Sequence, residues 1–177
     1  MNRAKGFLLL ATVLLLSSLA VAADDASKDP PKGEIFGSFS YLRVNPGSGL
    51  TGVNTYGWEA SGNYNLNRWL GLKADFDGHY CCNGGKVHDF LFGPQLSYRA
   101  SKATLFVHGL GGASHGNAFG ASATAGAWDM GGGVDWKLSK HLAWRIAQAD
   151  YIGTRFVGAT QHNFRTSTGL VFRFGEK

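Results

Sequence analysis

Apolar and polar residues alternate strictly along several segments of this chain. In Tyr56–Leu66 the even-numbered residues are aromatic, aliphatic or glycine, and the odd-numbered residues are polar or glycine. The same alternation recurs in Leu70–Tyr80, Trp128–Leu138 and Asn163–Phe174. A period of two places successive side chains on opposite faces of an extended strand. These four segments therefore predict β-strands with one apolar and one polar face.

Weaker alternation adds four further strands to the prediction: Glu34–Arg43, Asp89–Arg99, Ala103–Ala113 and Leu142–Phe156. In the last of these, Gln148 and Asp150 fall on the face that is otherwise apolar. A one-residue bulge near Ala147 would restore the alternation. Pro94 lacks the N–H that an interior strand donates to its neighbour, so we expect a second bulge there.

The lengths of the connections favour a closed, up-and-down arrangement of these strands. The short connections are Leu66–Trp69, Arg99–Lys102 and Ser139–His141, and the longer ones are Val44–Thr55, Cys81–His88, Ser114–Ala127 and Val157–His162. Short turns on one side and loops on the other are typical of membrane barrels. We therefore predict an all-β fold, an eight-stranded antiparallel up-and-down transmembrane β-barrel, over residues 34–177.

The positions of the aromatic residues favour a membrane barrel over a soluble one. A soluble barrel packs its apolar face inward, whereas a membrane barrel turns that face toward lipid. Aromatic residues lie near both ends of the predicted strands, as expected for the two membrane interfaces. One predicted belt contains Tyr64, Tyr98, Trp136, Trp144 and Phe174, and the other contains Tyr56, Trp58, Phe76, Tyr80, Phe90, Trp128 and Phe164.

The polar faces carry charged residues that would point into the barrel lumen. Eight strands enclose a lumen that side chains fill, and an unpaired ion inside it would be costly. Asp75 and Asp77 could act as paired carboxylates, but an ion-pair network is the favoured interpretation. Its predicted members are Glu59, Lys73, Asp75, Asp77, Asp135, Lys137, Arg145, Arg165 and Arg173.

The N-terminus has the features of an export signal. Arg3 and Lys5 precede the apolar segment Phe7–Ala22, which ends in a small-x-small cleavage pattern. We therefore predict a signal peptide over residues 1–22, cleaved after Ala22, and a periplasmic tail over residues 23–33. The formal net charge of +5, which includes Arg3 and Lys5, does not indicate a nucleic-acid partner.

Taken together, the signal peptide, the eight alternating strands and the closing segment Leu170–Phe174 resemble the outer-membrane β-barrel family typified by the transmembrane domain of OmpA and by OmpX. The resemblance covers Glu34–Phe174. It implies insertion into outer-membrane lipid by the barrel-assembly machinery, which would act on the C-terminal strand. Gly175, Glu176 and Lys177 follow the aromatic residue on which members usually end. No segment resembles the peptidoglycan-binding domain of OmpA, so a cell-wall role is not implied.

An even number of strands places both termini on one side of the membrane, and the exported tail begins in the periplasm, so we expect both termini there and Cys81 and Cys82 outside. An oxidising compartment favours a vicinal disulfide between these two cysteines, although their Cα atoms, about 3.8 Å apart, lie closer than in usual disulfides. His79 and His88 flank the pair, but the spacing matches no structural zinc pattern. We predict no metal site, no cofactor and no catalytic residue.

The favoured function is a structural or interaction barrel without a general pore, whose segments Gly47–Asn54 and Ser114–Ala127 bind unidentified extracellular partners. One alternative is an outer-membrane barrel enzyme acting on envelope lipid or peptide, which needs His, Ser and Asp side chains to converge at the external rim. The other is a soluble periplasmic ligand-binding barrel, which needs the apolar faces to point inward.

Overall fold

A computed structural model describes residues 30–45, 52–81, 84–118, 121–156 and 159–175 of the chain. It contains eight strands, and each predicted strand corresponds to one of them. They are β1 (Gly33–Val44), β2 (Val53–Asn65), β3 (Leu70–Tyr80), β4 (Lys86–Arg99), β5 (Ala103–Ala118), β6 (Ala121–Lys137), β7 (Leu142–Phe156) and β8 (Ala159–Phe174). The predicted signal peptide, its cleavage site after Ala22 and residues 23–29 of the tail lie outside the described residues.

The strands form a closed antiparallel barrel in sequence order, and β1 completes it by pairing with β8. Gly33 at the start of β1 lies opposite Phe174 at the end of β8. We call this the terminal end of the barrel, and it also holds the connections 66–69, 100–102 and 138–141. The opposite, distal end holds the connections that follow β1, β3, β5 and β7. The predicted fold class is confirmed, and no helix within the described ranges is long and apolar enough to cross a bilayer.

The alternation in the sequence corresponds to an outer and an inner face of the barrel. On β3, Leu72 is 38% exposed on the exterior, whereas its neighbour Lys73 is 1% exposed and points into the lumen. The members of both predicted aromatic belts are exposed on the exterior. Some of them contact one another across strands, as in Trp58 and Phe76, whose ring centroids are 5.3 Å apart. Most large apolar side chains thus cover the outside of the barrel, whereas a smaller set that includes Phe36, Leu91 and Val171 is buried.

A bulge on β7 restores the alternation, as predicted from the sequence. The β6–β7 register shifts between Val134 and Asp135, and the β7–β8 register shifts between Arg145 and Gln148. Ile146 has no partner on β6, so Ile146 and Ala147 are both exposed, and Gln148 and Asp150 turn into the lumen, where both are buried. The bulge therefore adds a carboxylate to the interior.

The prediction of a bulge at Pro94 is wrong. Pro94 lies opposite Leu72 in an unshifted β3–β4 ladder. On its other side the β4–β5 pairing is interrupted between Phe92 and Gln95 and resumes in the same register. The proline ring is exposed on the exterior, so the strand tolerates the missing N–H through a local gap in the ladder.

The predicted distal loops are too long. Most of Ser114–Ala127 belongs to strands, because β5 extends to Ala118 and β6 begins at Ala121. Likewise β4 begins at Lys86 and β8 at Ala159. The backbone forms the ladder whatever the side chain, so segments of alanine, glycine and serine continue a strand without showing alternation. β5 and β6 have 16 and 17 residues, more than the roughly 9–11 that cross a bilayer.

Candidate functional site

The interior of the barrel holds most of its buried charge. Among the described residues the buried acidic side chains are Glu34, Glu59, Asp75, Asp77, Asp89, Asp129, Asp135 and Asp150, and the buried basic ones are Lys73, Arg145, Arg165 and Arg173. Charged residues are almost never fully buried unless they are paired. The lumen is therefore the candidate functional site.

Arg165, on β8, lies at the centre of the largest cluster. Its Nη1 donates to Asp75 Oδ1 at 3.1 Å and to Asp77 Oδ2. Its Nη2 donates to Asp129 Oδ2 at 3.0 Å, and its Nε donates to Asp150 Oδ2 at 2.8 Å. One guanidinium thereby joins strands β3, β6, β7 and β8 across the lumen. We call this group the central cluster.

Lys73 and Gln148 extend the central cluster to Glu59. Lys73 Nζ lies 2.8 Å from Asp75 Oδ2 and 3.6 Å from Glu59 Oε1. Gln148 Nε2 donates to Glu59 Oε1 at 2.9 Å and to Asp150 Oδ2 at 2.7 Å. The Gln148 side-chain amide thus donates to two carboxylates, Glu59 and Asp150, and links them.

A second cluster closes the lumen near the terminal end. Arg145 binds Asp135 through two hydrogen bonds, from Nε at 2.7 Å and from Nη2 at 3.1 Å. Its guanidinium carbon lies 4.0 Å from the Phe36 ring centroid and 4.1 Å from that of Phe106. Arg173 Nη2 lies 3.9 Å from Asp135 Oδ2. This arrangement combines a bidentate ion pair with cation–π contacts.

The structure brings eight of the nine predicted lumen residues into these two clusters. Lys137 is the ninth and lies half-buried at the end of β6. Sequence interpretation missed the following buried groups: Glu34, His79, Asp89, His108, Asp129 and Asp150. Strand parity could have identified Asp129, which lies on the polar face of its strand. The inward position of Asp150 follows from the predicted bulge.

Ser40, His79 and Asp77 form a hydrogen-bonded chain. His79 Nε2 lies 2.9 Å from Ser40 Oγ, and His79 Nδ1 lies 3.1 Å from Asp77 Oδ1. The order of the groups matches a Ser-His-Asp triad. However, Ser40 and His79 have no exposed surface, and Asp77 is bound by Arg165. The chain lies inside the lumen and not at the distal rim, so a substrate carbonyl has no access to the serine.

The residues flanking the cysteines are not brought together as one site. His79 points into the lumen, whereas His88 lies against the exterior rings of Phe76 and Tyr80. Cys81 is half-buried, with its Sγ 3.7 Å from the carbonyl oxygen of Gly85. Cys82 lies outside the described residues, so the vicinal disulfide stays a prediction.

No family model matches this chain, and no curated protein matches it in sequence. Solved structures match it in fold. It is similar to Neisserial surface protein A (NspA), with a TM-score of 0.64 and 11% identity over 81% of this chain and 97% of that chain. It is also similar to Ail, the attachment invasion locus protein of Yersinia pestis, with a TM-score of 0.57 and 18% identity over 81% and 99%.

A third similar structure is the N-terminal β-barrel domain of OprF from Pseudomonas aeruginosa. The TM-score is 0.53 and the identity 14%, over 82% of this chain and 99% of that chain. At these identities the likeness concerns the fold. The chain therefore has the fold of eight-stranded outer-membrane β-barrels, and the resemblance stated from the sequence is confirmed at that level.

Proposed function

We propose that this chain is an integral outer-membrane protein whose exterior contacts lipid and whose lumen is closed by its own side chains. The observation that carries the proposal is the orientation of the two faces, with aromatic and aliphatic residues outside and ion pairs inside. A soluble ligand-binding barrel requires the opposite orientation. An apolar exterior of this extent would be covered by lipid rather than by water.

The lumen supports a structural or interaction role and argues against a general diffusion pore. Arg165 bridges carboxylates on strands from opposite sides of the barrel, and Arg145 lies between two aromatic rings. Opening a path for solutes would require both clusters to separate. Such a separation would leave buried charges without partners, which is strongly unfavourable.

In this proposal the distal end of the barrel binds other molecules. The ladders of β5 with β6 and of β7 with β8 continue beyond the length that a bilayer requires. They present exposed side chains on a paired backbone, such as His115, whose Nδ1 lies 2.8 Å from Thr124 Oγ1 on the neighbouring strand. Recognition groups on a rigid scaffold are a common arrangement in binding proteins.

The same proposal fixes the orientation of the barrel. The terminal end, which holds the short turns, would face the periplasm, and the distal end with Cys81 would face outward. Residues 1–22 would direct export, and the barrel-assembly machinery would engage β8 through its closing segment Leu170–Phe174. Outer-membrane lipid is then the largest partner of the folded chain.

The hydrogen-bonded chain of Ser40, His79 and Asp77 is the one observation that favours an enzyme. Its burial and the contact of Asp77 with Arg165 favour a structural role. We therefore assign it to the lumen network and propose that the protein is not an enzyme. Ser40→Ala is the matched variant, because it removes the hydroxyl that would act as nucleophile.

Planar-bilayer recording of the purified protein tests the closed lumen. The proposal predicts small, intermittent conductance events, because ions pass only when the clusters rearrange. Large and steady channels from the folded barrel would contradict it. If the protein hydrolyses envelope lipid or surface peptide and the Ser40→Ala substitution abolishes that hydrolysis, the protein is an enzyme and the proposal is wrong.

A further inference from the structure

The carboxylates of the lumen outnumber the cations that lie among them. At the terminal end, Glu34 and Asp135 are matched by Arg145 and Arg173. In the remainder of the described lumen the buried acidic residues are Glu59, Asp75, Asp77, Asp89, Asp129 and Asp150, whereas the buried permanent cations are only Lys73 and Arg165. Buried carboxylates need protons, cations or a metal ion as compensation. The excess points to further positive charge inside the barrel.

Three buried groups of this region converge within ion-pair distance but without an aligned hydrogen bond. His108 Nε2 lies 3.2 Å from Asp150 Oδ1 and 3.6 Å from Asp129 Oδ2. No hydrogen bond of acceptable geometry is made by either ring nitrogen of His108, by Asp129 Oδ1 or by Asp150 Oδ1. His108 is 5% exposed and the two aspartates are fully enclosed. Buried polar atoms in native proteins nearly always have a hydrogen-bonding or ligating partner, so we expect a further partner for these atoms.

A glycine lies beside these atoms, and its missing side chain makes room for the Asp150 carboxylate. Gly131 on β6 lies between His108 on β5 and Asp150 on β7 in the strand register. A Cβ atom at Gly131 would lie 2.0 Å from Asp150 Oδ1. Any other residue at this position would therefore displace the carboxylate. The glycine, the histidine and the two aspartates together form a small polar cradle in the lumen wall.

We propose that His108, Asp129 and Asp150 bind a divalent transition-metal ion of the Zn²⁺ class. Their ligand atoms all lie within 4.8 Å of one another. Ligands that bind Zn²⁺ tetrahedrally at about 2.0–2.1 Å lie roughly 3.4 Å apart, close to the two measured separations. One imidazole with two carboxylates is a donor set that suits such an ion better than Ca²⁺ or Mg²⁺, which prefer oxygen alone.

Arg165 acts as a positioning residue for this site. It donates to the Oδ2 atoms of Asp129 and Asp150, whereas Asp150 Oδ1, which lies 3.2 Å from His108 Nε2, is outside this contact. Hydrogen bonds to ligating carboxylates orient them toward a metal ion. The ion would offset part of the excess negative charge and link β5, β6 and β7. This site departs from the expectation, drawn from sequence, that the chain has no metal site.

The test uses the whole protein, unfolded with a chelator and refolded into detergent with Zn²⁺, with Co²⁺ or without metal. After gel filtration, elemental analysis should find about one Zn²⁺ per folded barrel. Co²⁺ should give the visible absorption bands of a tetrahedral site with nitrogen and oxygen ligands. His108→Gln should weaken retention by at least about tenfold. His141→Gln, at an exposed histidine in the turn between β6 and β7, should retain the ion as the unmodified protein does.

A compact gel band that converts to a slower one on heating reports folding of each variant. The proposal is overturned if the folded, unmodified barrel retains no ion, since protons would then supply the compensation. It is also overturned if His108→Gln and the unmodified protein retain equal amounts, since the ion would then bind elsewhere. If His108→Gln does not fold, the Co²⁺ spectrum of the unmodified protein still decides, because octahedral or absent bands contradict the site.

Discussion

Individual residues show why the lumen forms a specific network. Asp135 and Arg145 lie on neighbouring strands, so their pairing follows from local hairpin register. Arg165 and Asp75 are 90 residues apart in the chain and meet across the lumen. Alternation predicts that both point inward, but it contains no information about which inward groups face one another across the barrel. That depends on the stagger of all eight strands, which the closed structure provides.

Removing the central cation tests the network at this scale. Arg165→Met keeps much of the side-chain volume but leaves four hydrogen-bonded carboxylates without their shared donor. Breaking a buried pair by removing one partner typically costs about 3–5 kcal/mol, and we expect a loss of that size in the free energy of unfolding, measured by denaturant titration in detergent. Arg155→Met, at an exposed arginine on β7, should change it by less than about 0.5 kcal/mol. Equal effects of the two substitutions would contradict a central role for Arg165.

At the scale of the strands, the sequence was sufficient wherever alternation was strong. β3 and the bulge near Ala147 were predictable because a period of two is directly visible, as is a single break in it. The distal parts of β5 and β6 were not predictable, because alanine, glycine and serine do not distinguish the two faces. The prediction of a bulge at Pro94 was wrong for another reason, because a ladder can omit hydrogen bonds without changing register.

A charge on the outer face of β3 tests the assignment of faces. Leu72 is exposed on the exterior, and Leu72→Arg would place a guanidinium in lipid. We expect a loss of about 2–4 kcal/mol in the free energy of unfolding from lipid vesicles if the site lies near the midplane. Leu138→Arg is the matched control, because Leu138 is similarly exposed but lies in a turn at the terminal end. Its cost should be near zero to 1 kcal/mol. An equal cost at the two positions would mean that β3 does not face lipid.

At the scale of the whole molecule, the arrangement is inverted relative to a soluble protein. Ion pairs fill the centre, and large apolar side chains cover the surface. Such an apolar surface is favourable in the hydrocarbon of a lipid bilayer, which offers no hydrogen bonds. A closed barrel leaves no strand edge unpaired in that hydrocarbon. The fold, the filled lumen and the proposed location are thus consequences of one pattern in the sequence.

The tryptophans provide the most direct test of that arrangement, since all five are exposed on the outside of the barrel. They are Trp58, Trp69, Trp128, Trp136 and Trp144. The protein, without substitutions, is folded into vesicles whose lipids carry bromine at defined depths, and quenching of tryptophan fluorescence is measured. We predict strong quenching, greater for bromine near the headgroups than near the chain ends, because four tryptophans lie in the two aromatic belts and Trp69 lies in a turn at the terminal end. If brominated lipid does not quench the tryptophan fluorescence of the folded protein, the claim that the apolar exterior faces lipid is contradicted.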